Sequence, residues 1–171
     1  MNPTEQAYIA GILDGEGHIS IYGRSDLHKR GTKSIARFTL RVNVCMTSES
    51  VIRWLHVTTG LGHFSTHVRS DHFRTLYSWR VSSREAATLL AEVRQFLILK
   101  KRHAEIAAEF YETIGVRSLR VNRRKYLSQE TAQKRIALID EIRSLNFRRN
   151  GHTIAHATVH NVPNDLRVPC V

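Results

Sequence analysis

Four stretches of the chain alternate apolar and polar residues with a period of two: Gly17–Arg24, Ile35–Val44, His63–Arg69 and His72–Val81. The second is the cleanest, with Ala36, Phe38, Leu40, Val42 and Val44 on one side and Arg37, Thr39, Arg41 and Asn43 on the other. In the fourth, Phe73, Tyr77, Trp79 and Val81 oppose Arg74, Ser78 and Arg80. This alternation predicts half-buried antiparallel strands, the last two joined by a turn at Arg69–His72. Helical signals fill the remainder. Asn2-Pro3-Thr4-Glu5 reads as an N-cap, a first-turn proline and a capping-box glutamate, opening a helix to about Asp14 that Gly15 and Gly17 break. Ser48–Thr59 ends at Gly60; Ser82-Ser83-Arg84-Glu85 reads as a capping box for a helix to about Ile98. Lys100–Ile114 is closed by Gly115, and Ser128–Asn146 places Ile136, Ile139, Ile142 and Leu145 at helical spacing. The predicted order is α-β-β-α-β-β-α-α-α, an α+β class. Residues 1–147 form one domain, followed by a polar, basic tail, 148–171, with the composition of a partly disordered segment.

The polar strand sides change the picture once they are collected. They carry His18, Ser20, Tyr22 and Arg24; Arg37, Thr39, Arg41 and Asn43; His63, Ser65, His67 and Arg69; and His72, Arg74, Ser78 and Arg80. No Asp or Glu falls within these strands, although the chain has 15 acids. A solvated face mixes signs; this one offers donors for phosphate oxygens and base edges. The formal net charge of +11 and a pI near 10.4 agree with a polyanionic partner. A second basic cluster, Arg117, Arg120, Arg123, Arg124 and Lys125, suits phosphate-backbone contact. No apolar run reaches the roughly 18 residues of a membrane span, and the polar first residues lack a signal-peptide pattern. Cys45 follows an apolar strand and Cys170 sits in the tail; such unlike settings suggest no disulfide framework and an intracellular, reducing compartment, cytoplasmic or organellar. His152, His156 and His160 are four residues apart but lack a fourth ligand, so a solvated tail is the better reading than zinc.

One stretch, YIAGILDGEG from Tyr8 to Gly17, puts two carboxylates at a helix C-terminus, where the dipole disfavours negative charge. Ala7, Gly11 and Gly15 recur every four residues and share a helix face. Small residues at that spacing allow close helix pairing. With one such helix per chain, pairing requires a second copy and a two-fold axis, or else the face lies against the chain's own sheet. Pairing would gather two copies of Asp14 and Glu16, and crowded acids beside a basic sheet call for a hard divalent cation such as Mg²⁺. A cation there can polarise a phosphate, activate water and stabilise a leaving oxygen.

On these residues the chain resembles the LAGLIDADG homing endonucleases: Ile9–Gly17, IAGILDGEG, matches the signature, and the α-β-β-α-β-β-α order matches the family across about residues 3–114, with extra C-terminal helices beyond. The single copy resembles the homodimeric subclass. The resemblance implies a saddle of antiparallel strands on double-stranded DNA, Mg²⁺-dependent hydrolysis of both strands at a long pseudo-palindromic site, short 3′ overhangs, and intron homing. It implies that Glu16 is the essential metal-binding acid, that the Gly15 carbonyl joins it, and that Asp14 has a structural role at the dimer interface made by Ala7, Gly11 and Gly15. Phe96–Ala104, FLILKKRHA, resembles a family segment that puts Lys100 at an active-site basic position, with Arg102 as its support. The DNA contacts are then expected from Arg24, Arg37, Thr39, Arg41, Asn43, His67, Arg69, Arg74, Ser78 and Arg80. After the second strand the family often places Gln, Asn or Asp; here the segment reads Cys45-Met46-Thr47-Ser48-Glu49, with Ser48 the nearest match and also a good N-cap. The alternative reading is a non-catalytic nucleic-acid binder, an intron RNA maturase or a DNA-binding regulator.

Overall fold

A computed structural model of the chain describes residues 1–24, 37–68, 74–114, 119–121, 124–126 and 129–148. The elements run α1 (Pro3–Glu16), β1 (Gly17–Arg24), β2 (Arg37–Met46), α2 (Glu49–Thr59), β3 (His63–His67), β4 (Leu76–Ser82), α3 (Ser83–Val93), a 3₁₀ turn (Arg94–Phe96), α4 (Lys101–Ile114), β5 (Leu119–Val121), β6 (Arg124–Tyr126) and α5 (Gln129–Arg148). Strands β1 to β4 form one antiparallel sheet in the order β1-β2-β4-β3.

The alternation works as period-two arithmetic requires. Ile19, Ile21, Leu40, Val42, Val44, Trp79 and Val81 are buried on one side of the sheet. Helices α1 to α4 lie against that sheet, and α5 packs on α4 and β1. Ile9 and Leu13 of α1, Ile52 and Leu55 of α2, Leu89 and Leu90 of α3, Ile106 and Phe110 of α4, and Ile142 of α5 complete the core. The Trp79 ring is wholly buried and its indole N–H donates to the Leu61 carbonyl at 2.9 Å, so the one polar atom of that side chain is satisfied. Asn146 ties α5 to the rest: its amide donates to the Ile19 carbonyl at 3.1 Å, and its side-chain oxygen lies 3.2 Å from His103 Nε2.

Asn2 and Glu5 form the expected capping box. Gly60 ends α2 in the left-handed region, φ 65°, which glycine adopts without a Cβ clash. Several expectations are corrected. Helix α1 does not stop at Asp14; it continues through Gly15 to Glu16, and Gly17 is extended. The box at Ser82–Glu85 does not form, because Ser83 takes φ 56° and the Glu85 carboxylate instead accepts the Gly62 N–H at 3.1 Å. The expected helix to Ile98 breaks at Val93 into the 3₁₀ turn, leaving 97–100 non-helical. On α5, Leu138 takes the buried place given to Ile136, which is exposed. The basic cluster after α4 contains a short hairpin, with Arg120 opposite Lys125 and Val121 opposite Arg124. Cys45 is half-buried on β2, and Cys170 lies outside the described residues. Arg69, His72, Phe73, Arg117, Arg123, Gly115 and the tail with its three histidines lie outside the described residues.

Candidate nucleic-acid interface and active site

No connecting residue separates α1 from β1: the helix ends at Glu16 and the strand begins at Gly17. Gly17 is demanded by space. A Cβ there would lie 2.6 Å from the Leu13 carbonyl oxygen and 2.7 Å from the Leu13 Cα, closer than real Cβ contacts allow. The Gly17 N–H donates back to that same carbonyl. Glu16 therefore stands, exposed, at a rigid corner between helix and sheet.

The two acids at the corner have opposite surroundings. Asp14 is 8% exposed, and its carboxylate oxygens accept the N–H groups of Ile98 at 2.7 Å and Lys100 at 2.8 Å. It is a pin that fastens the 97–100 segment to the end of α1, within one chain. The Lys100 side chain is 3% exposed; its ammonium donates to the carbonyls of Leu13 at 2.5 Å and Asp14 at 2.7 Å. A cation on the last-turn carbonyls stabilises the negative end of the helix dipole, which offsets the unfavourable placement of Asp14 and Glu16. Arg102 does not support Lys100. It is exposed and bound to Glu141 at 2.8 Å, Glu109 at 3.1 Å and Glu105 at 3.3 Å, on the α4–α5 surface. Ser48 makes no side-chain cap bond and sits 3.1 Å from the Ser50 hydroxyl.

From the corner, the outward sheet face extends across all four strands. The register sets His18 opposite Asn43, Asn43 opposite Arg80, and Arg80 opposite His63, one continuous polar row beginning two residues from Glu16. Behind it come Ser20 opposite Arg41, Tyr22 opposite Thr39, and Arg24 opposite Arg37. Arg41 stacks over the Tyr22 ring, 4.5 Å from its centroid. Toward the β3 edge, Ser65 and Ser78 hydroxyls are 2.7 Å apart and His67 Nε2 lies 3.2 Å from Ser78. Burial, and secondarily the Lys100 charge, hold the His18 imidazole below its ordinary pKa. Ser20 Oγ, Arg41 Nε and Asn43 Oδ1 are buried without a hydrogen-bond partner among the described residues. Arg74 is exposed but precedes β4, so it is not a strand residue.

The small-residue stripe resolves in favour of the open face. Ala7, Gly11 and Gly15 are exposed, and a Cβ at Gly11 or Gly15 would meet nothing within 4 Å. The helix lies on its own core through Ile9, Ala10, Leu13 and Asp14 instead. Sequence reasoning missed the Asp14 pin, whose partners are more than eighty residues away, and the neighbours of the stripe, Tyr8 and Trp54, which meet edge to face at 5.1 Å.

No family model and no curated protein matches the sequence. Solved structures do. The homing endonuclease I-CvuI, in complex with its target in the presence of Ca, superposes with a TM-score of 0.64 at 17% identity, over 88% of this chain and 97% of that one. The archaeal intron-encoded homing endonuclease I-Vdi141I, complexed with DNA, gives 0.64 at 15% identity, over 92% and 89%. The chain has the LAGLIDADG homing endonuclease fold. The LAGLIDADG meganuclease I-AabMI, bound to uncleaved DNA, gives 0.59 at 17% identity, and this chain covers 53% of that one. I-SmaMI, bound to cleaved DNA, gives 0.59 at 18% identity, with 52% of that chain covered.

Proposed function

We propose that the protein is a site-specific double-strand DNA endonuclease of the LAGLIDADG type, working as a homodimer on a pseudo-palindromic intron-homing site. One observation carries the reading: an open carboxylate, Glu16, stands at a zero-length corner where a polar row free of acids begins. The chain spans nearly all of I-CvuI and about half of I-AabMI and I-SmaMI.

Among the described residues of one chain, no group of three His, Cys, Asp or Glu side chains gathers as a metal site. The donor set nevertheless fits Mg²⁺, which prefers hard oxygens, keeps several waters, and is held by one or two carboxylates together with substrate phosphates. Glu16 from each of two copies, with the Gly15 carbonyl, would hold the ion. When bound, it supplies charge stabilisation at the phosphate and acidifies water. The chain's own residues do the rest. Arg41, Asn43, Arg80 and His67 bind and align the duplex. Asp14 and Lys100 keep the corner in place without touching substrate. Hydrolysis then leaves short 3′ overhangs.

The test is an in vitro cleavage selection on a randomised DNA library, with Mg²⁺ and with EDTA, for the native protein and Glu16→Gln. Cleavage that requires both Mg²⁺ and Glu16 supports the reading. Specific binding without any cleavage by the native protein moves it to a DNA-binding regulator, and binding of intron RNA alone to a maturase.

A further inference from the structure

Two arginines of the outward sheet face differ in how firmly they are held. Arg80 on β4 is exposed and, among the described residues, meets no ring or acid. Arg41 on β2 is half-buried. Its partner across the ladder is Ser20, and Tyr22, opposite Thr39, is its diagonal neighbour. Diagonal neighbours on one face of an antiparallel pair lie within reach of a long side chain, and the Arg41 guanidinium sits over the Tyr22 ring, 4.5 Å from its centroid. Ser20 is 8% exposed, and its hydroxyl and Arg41 Nε are both sealed from solvent without a partner among the described residues. The arginine stem thus lies along the sheet from Ser20 toward Tyr22 and does not stand off into solvent. A ring covers only a face of the guanidinium, whose donors lie in its plane. With Nε sealed, the two terminal nitrogens are the accessible fork.

We infer that Arg41 reads one guanine in each half of the DNA site, through its terminal nitrogens on O6 and N7, and that Tyr22 is the positioning residue that holds the fork for it. The inference rests on the DNA-endonuclease reading above and deepens it. A two-stranded ribbon fits the major groove, where guanine presents two acceptors side by side, the pattern that a bidentate arginine matches; adenine sets a donor beside N7 instead. A fork already stacked on a ring loses less freedom on docking than a free side chain does, so its geometry can discriminate. Arg80, with no such hold, follows a phosphate wherever the backbone runs, and a phosphate contact carries no sequence information. Symmetry doubles the requirement. Two copies place guanines at two positions related by the two-fold axis, one on each strand.

The experiment recovers the duplexes bound from a randomised DNA library, with Ca²⁺ and separately with EDTA, by the full-length native protein, Arg41→Ala, Tyr22→Ala, Tyr22→Phe and Arg80→Ala, each shown to be folded by circular dichroism. Affinities are then measured on the recovered site and on the same site with one guanine replaced by adenine. For the native protein the sites should share a symmetry-related pair of guanines, and replacing one of them should weaken binding by about 5- to 150-fold. In Arg41→Ala that preference should fall to within about twofold while the other positions keep theirs. Tyr22→Ala keeps the arginine and should lose about 2- to 5-fold of the discrimination, which Tyr22→Phe restores because the ring face remains. Arg80→Ala should weaken binding to all duplexes alike. A native site without such a guanine pair, or a pair that survives Arg41→Ala, overturns the inference and leaves DNA recognition standing. A Tyr22→Ala protein that discriminates as well as the native one overturns the positioning role. A native protein that selects no sequence overturns the endonuclease reading, and this inference with it.

Discussion

Asp14 and Glu16 are two residues apart on one helical turn, yet replacing each carboxylate by its amide should do different things. Asp14→Asn keeps one acceptor oxygen and turns the other position into a donor facing a backbone N–H, that of Ile98 or of Lys100, now 2.7 and 2.8 Å from the carboxylate. One bond to a charged acceptor, worth about 1.5–3 kcal/mol, is lost, and the N–H left behind is buried. The expected loss is about 2–3 kcal/mol, or a Tm lowered by about 5–10 °C for a chain of this size. Glu16→Gln changes an exposed side chain and should stay within about 0.5 kcal/mol. The assay is thermal and urea denaturation of the three proteins at one fixed concentration and pH 7, in EDTA so that metal does not contribute. Cleavage and DNA binding are measured in parallel below the transition. Glu16→Gln should bind and not cut; Asp14→Asn should lose cutting together with stability. An Asp14→Asn protein as stable as the native one would refute the pin, and a Glu16→Gln protein as unstable as Asp14→Asn would show that the open carboxylate is structural too.

Lys100→Met removes the ammonium from the carbonyls of Leu13 and Asp14 and should cost about 1.5–3 kcal/mol, read by urea denaturation; undiminished stability would deny the capping role. Gly17→Ala forces a Cβ against the Leu13 backbone and should destabilise by about 1–3 kcal/mol. Gly11→Ala, with open space and a better helix former, should raise monomer stability by up to about 1 kcal/mol, while weakening the dimer. Arg80→Ala should lower DNA affinity, and a salt titration separates the roles: loss of a phosphate contact reduces the log–log slope by about 1, whereas loss of a base contact leaves it unchanged and relaxes one position of the site.

What can be read in the sequence is local. The Asn2–Glu5 box spans three residues, and period-two alternation needs only neighbours, so α1, the strands and the acid-free face are legible in the order of residues alone. What cannot be read there depends on distant partners. Val93 ends α3, and Lys100 turns its side chain inward, because Asp14 and the last turn of α1 arrive there from the other end of the domain. Ser82–Glu85 carries a good capping signature, yet Glu85 finds the Gly62 N–H in a neighbouring loop and the box is abandoned. On α5, Ile136 and Leu138 fit the helical period about equally well, and only the direction of α4 and β1 decides which is buried. The small stripe is ambiguous for the same reason. The pattern gives a face, and only the sheet's position on the far side of α1 shows that the face is open.

The corner at Gly17 also has a mechanical meaning. Because no residue intervenes between α1 and β1, and the strand's first residue is pressed on the helix's last turn, helix and strand move as one body. A duplex that bends as it settles on the sheet cannot tilt β1 without swinging α1 by the same angle. Glu16 lies at the fulcrum of that lever, where displacement is smallest, while the far end of α1 travels furthest. In the proposed dimer on DNA, strain in the duplex is delivered to the far end of α1 rather than to the carboxylate.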